Sequence, residues 1–322
     1  MIIEDLIKKH IFAIFLFIIV SCGGGSSSVN DNQNTATNFN TISTDENCII
    51  ESSNFEKCNL IHDDLDRYYY IYKSVNLNPN ESIPVLFALH GYGSSAITHY
   101  SYTNYRSIAD DNNLVVVYPQ GSTSSGLNTH WNNGGWTSKS TAKDIEFIDT
   151  IINLLKEKIN IDQTRIYSSG MSNGGYMSYH LACNLDNKFA AIVSVTGSMT
   201  TDTFDNCSPS HPTAIMQIHG MRDTVVPYFG SIGSKSIEDV MLYWSSYNGC
   251  DVEPEEHIEY NSQNNYVINT ERYKNCVNNV SVKLILHSTL GHNWPRISYH
   301  GFSASQEIWN FVSKYDLYGY RE

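Results

Sequence analysis

Short continuous apolar runs alternate along the chain with stretches of helical spacing. Pro84 to His90 (PVLFALH), Leu114 to Tyr118 (LVVVY), Ala190 to Val195 (AAIVSV) and Thr213 to His219 (TAIMQIH) read as strands buried on both faces. Asp144 to Ile159 places Ile145, Ile148, Ile151, Ile152 and Leu155 on one side of a helix. Arg165 to Ser169 reads as a short buried strand, and Asn173 to Cys183 as a helix with small residues at its start. Ser236 to Asn248 is helical, and Tyr266 to Tyr273 and Val280 to His287 alternate as strands. Ser303 to Tyr315 is a helix with Ser303 as N-cap and Gln306 three residues on. Tyr68 to Val75 (YYYIYKSV) reads as an antiparallel edge strand. Buried strands alternating with helices predict an α/β fold, a mostly parallel central sheet with helices on both faces.

The N-terminus departs from this pattern. Lys8, Lys9 and His10 precede an apolar run, Ile11 to Val20, too short to span a bilayer comfortably but suited to a signal-peptide core. The run ends in Ile19-Val20-Ser21-Cys22, which resembles a bacterial lipobox. Residues 1–21 are therefore expected to be a lipoprotein signal peptide, with Cys22 lipidated and the membrane reached only through that lipid. Residues 22–45 are rich in Gly, Ser, Asn and Thr and read as a flexible tether. Residues 46–322 suit one catalytic α/β domain.

Setting aside Cys22, six of the seven cysteines remain: Cys48, Cys58, Cys183, Cys207, Cys250 and Cys276. An even number in an exported chain suggests three disulfides, whose connectivity the sequence alone leaves open. Sequence neighbours are the favoured partners: Cys48 with Cys58, Cys183 with Cys207, Cys250 with Cys276. No Cys/His cluster has metal-ligand spacing, so neither a metal nor another cofactor is expected. A formal net charge of −13 argues against nucleic acid and anionic polymers as partners.

The chemistry concentrates at Gly170-Met171-Ser172-Asn173-Gly174, between a predicted strand and a predicted helix. A Gly-x-Ser-x-Gly turned sharply there holds a serine hydroxyl out at the top of a sheet. Ser172 is the candidate nucleophile, and a serine needs an adjacent base. Among the 12 histidines, His292 is the candidate, glycine-flanked on the loop after a late strand. His287 and His300 are nearby rivals, and His287 sits at a strand end where a structural role is expected. Asp223, after the strand ending at His219, is the candidate acid that orients the imidazole. Asp202, Asp205 and Glu238 are less well placed. The order Ser172, Asp223, His292 is that of α/β-hydrolases. The amides of Asn173 and Tyr92 are the expected oxyanion donors, Tyr92 lying in the loop His90-Gly91-Tyr92-Gly93. His90 is expected to brace that loop, and Trp131 and Trp294 to line a substrate cleft.

From about Pro84 to Phe311 the chain resembles the polyhydroxybutyrate depolymerase-like and feruloyl esterase branch of the α/β-hydrolases. The segments that carry the resemblance are LHGYGSS (89–95), KDIEFI (143–148), RIYSSGMSNGGYMSYHLAC (165–183), FAAIVSVTGSM (189–199), IHGMRDTVVPY (218–228), YWSSYNGC (243–250) and GHNWP (291–295). The resemblance implies an exported serine esterase acting on feruloyl or acetyl esters of plant polysaccharide, or on hydroxyalkanoate polyester. It implies Ser172, Asp223 and His292 as the triad, and bridges Cys250–Cys276 and Cys183–Cys207. The family usually has two aspartates where this chain has Lys143-Asp144, a cysteine before Trp131 where it has His130, and two glycines before His292 where it has Leu290-Gly291. The competing readings are an exopeptidase or acyltransferase of the same fold, and a non-catalytic, surface-tethered binding lipoprotein on this scaffold.

Overall fold

The computed structural model describes residues 46–126 and 128–321. The expected signal peptide, the expected lipidation at Cys22 and the expected tether lie outside the described residues. The sheet strands are β1 Asn47–Ser52, β2 Phe55–His62, β3 Leu65–Lys73, β4 Ile83–Leu89, β5 Val115–Pro119, β6 Ile161–Met171, β7 Ala191–Val195, β8 Ala214–Gly220, β9 Glu255–Asn261, β10 Tyr266–Tyr273 and β11 Val282–His287. They form one sheet in the order β1-β2-β3-β5-β4-β6-β7-β8-β11-β10-β9. The middle six, from β5 across to β11, run parallel. Antiparallel ribbons extend the sheet on either side. The helices are α1 Ala96–Thr103, α2 Tyr105–Asn112, α3 Asp144–Lys158, α4 Asn173–Asn184, α5 Thr201–Asp205, α6 Ile237–Tyr247, α7 Ile297–His300 and α8 Ala304–Val312.

Alternate residues of each central strand enter opposite cores. Val85, Phe87 and Leu89 of β4 pack with Ile148 and Ile151 of α3, Met177 of α4 and Trp244 of α6. Leu86 and Ala88 join Ile108 of α2 and Ile308 and Val312 of α8 on the other face. Both faces of the parallel strands are thus covered, which is why these strands read as unbroken apolar runs. Ser303 caps α8 as expected, its hydroxyl accepting from the Gln306 amide.

Two expectations about the edges are corrected. Tyr68–Val75 is not an edge strand: β3 pairs with β5 on one side and β2 on the other, and β1 lies outside β2. The strand before Ser172 is also longer than predicted, running from Ile161. β1 and β9 face solvent along almost their whole length, so they carry no apolar pattern to read. The three cysteine pairs are bridged as favoured: Cys48–Cys58, Cys183–Cys207 and Cys250–Cys276. The first joins directly opposed positions of β1 and β2. Glu46 sits against the same two sulfurs, but both are held in the disulfide, so the trio is not a thiolate metal site.

Candidate active site

β6 ends at Met171 and α4 begins at Asn173, so one residue makes the whole turn. That residue is Ser172, at φ 54° and ψ −121°. A positive φ at a non-glycine residue is strained and persists only where the surroundings fix it. Here the Ser172 amide donates to Val195 O of β7 at 2.8 Å, and Ser172 O accepts from the Tyr176 amide at 3.0 Å. Gly174 is required by close approach, because a β-carbon there would lie 2.2 Å from Leu89 O.

Adjacent parallel strands carry the other two candidates to the same end of the sheet. β8 pairs with β11, and the loops beyond them are joined by the Met221 amide donating to His287 O and the Arg222 amide to Leu290 O, each at 3.0 Å. Asp223 and His292 meet across this junction, with His292 Nδ1 2.8 Å from Asp223 Oδ2. Asp223 Oδ1 accepts from the Val225 and Val226 amides, each at 2.9 Å. Burial pushes the Asp223 carboxyl up, but the His292 hydrogen bond and charge and the two amides outweigh it and hold it below the usual carboxylate range. Asp223 is therefore an anion at neutral pH, and its side chain is fully buried while that of His292 is partly open. A carboxylate accepts at Nδ1, so the proton of neutral His292 sits there and Nε2 is left as the acceptor. Among the described residues no hydrogen bond yet joins Ser172 Oγ to His292. Such contacts are often looser before a substrate is bound.

The two expected oxyanion donors flank the elbow. The Asn173 amide is at the first helical position and has no acceptor within the helix. Gly91, before Tyr92, lies against the elbow: a β-carbon there would be 3.5 Å from Met171 O and from Ser172 Cβ. The loop is held by the Gly93 amide on Thr129 O at 2.7 Å. His90 braces it as expected. Its Nδ1 lies 2.8 Å from Gly91 O, and its Nε2 accepts from the Gly121 amide at 2.9 Å. His287 is likewise structural, its Nδ1 accepting from the Thr289 and Leu290 amides. His300 Nδ1 accepts from the Arg296 amide at 3.1 Å.

The tryptophans divide. Trp131 is fully buried and lines no cleft, which corrects that expectation. Its backbone amide donates to Asn173 Oδ1 at 2.7 Å, its carbonyl accepts from Asn173 Nδ2, and its indole donates to His90 O. It thus ties the elbow to the β4 loop. Trp294 packs against His99 and donates to Ser305 Oγ, and it borders a cavity of about 490 Å³ with Tyr102, Met171, Asn293, Arg296 and Tyr299. Met171 and Asn293 are the chain neighbours of Ser172 and His292, so this cavity opens beside the site.

Sequence reasoning missed a buried polar chain behind Asp223. Tyr179 donates to Gln217 Oε1 at 2.9 Å, Gln217 Nε2 lies 3.0 Å from His219 Nδ1, and His219 Nε2 lies 2.9 Å from Val226 O. Val226 is the residue whose amide holds Asp223. The signal was in the sequence, since Gln217 and His219 are polar residues two apart inside an apolar strand (TAIMQIH). Asp144 had a comparable role. Fully buried, it pairs with Arg67 at 2.7 Å and accepts from the Asn132 amide, fixing the loop that carries Trp131.

Residues 99–210 match the prolyl oligopeptidase family. The bifunctional acetylxylan esterase/xylanase XynS20E of Neocallimastix patriciarum is 28% identical over 253 residues, 79% of this chain and 34% of that protein. Feruloyl esterase B of Piromyces equi is 25% identical over 249 residues, 74% of this chain and 43% of that protein. The chain thus spans well under half the length of these two relatives. Among solved structures, an acetyl xylan esterase from Aspergillus awamori superposes with a TM-score of 0.53 at 17% identity, over 77% of this chain and 94% of that one. The sheet order and the strained elbow are those of the α/β-hydrolase fold, and in sequence the chain is similar to the acetylxylan and feruloyl esterases above.

Proposed function

We propose that this protein is an exported serine carboxylic-ester hydrolase acting on feruloyl or acetyl esters of plant polysaccharide. The observation that carries the reading is the serine at the strained elbow, beside a buried Asp223 anion bonded to His292 at 2.8 Å. Ser172 Oγ attacks the ester carbonyl while His292 Nε2 takes its proton. The amides of Tyr92 and Asn173 receive the oxyanion. His292 then protonates the departing alkoxide, and water attacks the acyl-enzyme in the reverse sense, releasing acid and serine. The cavity at Tyr102, Met171 and Trp294 has room for an aromatic acyl group. Export is supported by the three disulfides. The signal peptide at 1–21, the lipid at Cys22, the tether at 22–45 and the domain at 46–322 complete the reading.

The test is hydrolysis of methyl ferulate, acetylated xylan, a short p-nitrophenyl ester and a hydroxybutyrate oligomer by the full chain. Turnover of the first two above the last supports the plant-wall reading, and the reverse order favours polyester. An aminoacyl anilide tests the exopeptidase reading, which the match over 99–210 favours. No turnover on any of these, with no labelling of Ser172 by a fluorophosphonate, sinks the hydrolase and promotes a pure binder.

His219 gives a second prediction. Its side chain pins Val226, and through it Asp223. His219→Ala leaves the buried Val226 O without its partner, at a cost of about 1–3 kcal/mol. The expected result is a fall in kcat of about ten- to a hundredfold, with KM nearly unchanged. An unchanged kcat in the folded variant refutes the link.

A further inference from the structure

Four tryptophans, at 131, 244, 294 and 309, are buried, whereas Trp136 is 45% exposed. It is also held rigidly. Gly134 and Gly135 adopt φ of 69° and 53°, and β-carbons there would come within 2.8 Å of Asp202 Oδ2 and Thr200 Cβ. The Gly135 amide donates to Asp202 Oδ2 at 3.2 Å, and Thr137 Oγ1 donates to Asn133 Oδ1 at 2.8 Å. Asn133 in turn donates from Nδ2 to Asn173 O at 3.3 Å. The loop is therefore hung on the residue that follows the candidate nucleophile. At its tip the indole stands 5.8 Å, centroid to centroid, from the rings of both Tyr92 and Tyr176. Tyr92 is itself exposed.

We propose that Trp136, with the Tyr92 ring beside it, is a stacking platform for the neutral sugar ring that carries the ester oxygen. The proposal rests on the esterase reading and adds a carbohydrate subsite on the alcohol side. Three observations select this occupant. The Tyr92 amide faces the reacting carbonyl in that reading, so whatever covers Trp136 is within one side chain of the scissile bond. The acyl group has its own cavity, bordered by Tyr102, Met171 and Trp294, which leaves the alcohol portion for Trp136. The chain carries a net charge of −13, which favours a neutral polyol over an anionic polymer. An aromatic face accepts the apolar C–H face of a sugar ring, and a ring already fixed by its loop loses little freedom on binding.

The test compares two classes of ester and one binding signal. Trp136→Ala is expected to lower kcat/KM on a feruloylated xylo-oligosaccharide about tenfold, chiefly through KM. Methyl ferulate turnover is expected to change less than about twofold, and Trp136→Phe to retain most of the lost activity. In Ser172→Ala protein, xylo-oligosaccharide alone is expected to perturb tryptophan fluorescence, and Trp136→Ala in that background to remove the response. Equal losses on both esters place Trp136 on the acyl side or in the scaffold and overturn the proposal. No loss on the oligosaccharide ester, or binding that survives without Trp136, also overturns it. Failure of the parent reading is distinct: no ester is then cleaved by the unaltered protein, while the fluorescence arm still reports on the sugar.

Discussion

Ser172→Ala is expected to lower kcat on the preferred ester by about a million-fold, and His292→Ala by a similar amount. The two losses are not additive, because each group is useless without the other. The double variant should therefore be no slower than either single one. Asp223→Asn is expected to cost about ten-thousandfold. An amide presents a donor to His292 Nδ1, so the ring reverses its tautomer and turns its protonated nitrogen toward the serine. What remains in each variant is expected to come from the proposed oxyanion donors, the Tyr92 and Asn173 amides, and from substrate binding, neither of which involves these side chains. Folding separates this from trivial damage. Ser172 makes its structural bonds through the backbone, to Val195 O and from the Tyr176 amide, so Ser172→Ala should melt as the parent does. A folded Ser172→Ala protein that keeps more than about one per cent of activity would remove Ser172 from the mechanism.

The parts of this molecule legible in the sequence are those where burial dictates composition. β4, β5, β7 and β8 are buried at every position, and their apolar runs fell within a residue or two of the observed limits. The glycine-bracketed Ser172 was legible because only glycine fits where Gly174 meets β4. Asp223 and His292 were legible from position, as polar residues just past buried strands. β1 and β9 escaped because a strand exposed on both sides obeys no hydrophobic period. Trp131 misled for a related reason. Its indole hydrogen bond to His90 O lets a polar-tipped ring sit wholly inside, and composition does not distinguish that from a ring at a cleft wall. Trp136, which is the exposed one, is positioned by two positive-φ glycines and Asp202, contacts that span more than sixty residues of chain.

Lowering the pH from 6.5 toward 4 is expected to destabilise the protein before most of its carboxylates are neutralised. Burial is the main cause that pushes both His90 and His219 down to about 4 and His99 well below its usual value. Geometry explains why none of them accepts a proton. His90 Nδ1 is directed at Gly91 O and its Nε2 faces the Gly121 amide, so a second proton would oppose a donor. His219 Nε2 is directed at Val226 O and its Nδ1 faces Gln217 Nε2. Gln217 is not free to turn, since it also accepts from Tyr179 and donates to Gly197 O. Nearby charges do not rescue either ring. Asp144 favours protonating His90 while Arg67 and His130 oppose it, and Asp223 favours protonating His219 while His292 opposes it. Below pH 6.5 the unfolded chain therefore binds protons that the folded chain refuses, and stability falls as pH falls. By pH 4 the loss is about 3 kcal/mol for each of His90 and His219, with His99 adding to it. That is comparable to the whole stability of an ordinary domain, about 5–15 kcal/mol. Asp223, whose carboxyl is held low, adds its own loss only below about pH 4. Melting temperature measured from pH 7 to 4 should decline progressively from about 6.5, with net proton uptake on unfolding, and His219→Gln should reduce that uptake by about one proton. A melting temperature that stays level down to pH 4.5 would show that these rings are not locked neutral. Because His90 braces the Tyr92 loop and His219 braces Asp223, the same protons that unfold the chain also dismantle the proposed oxyanion hole and triad.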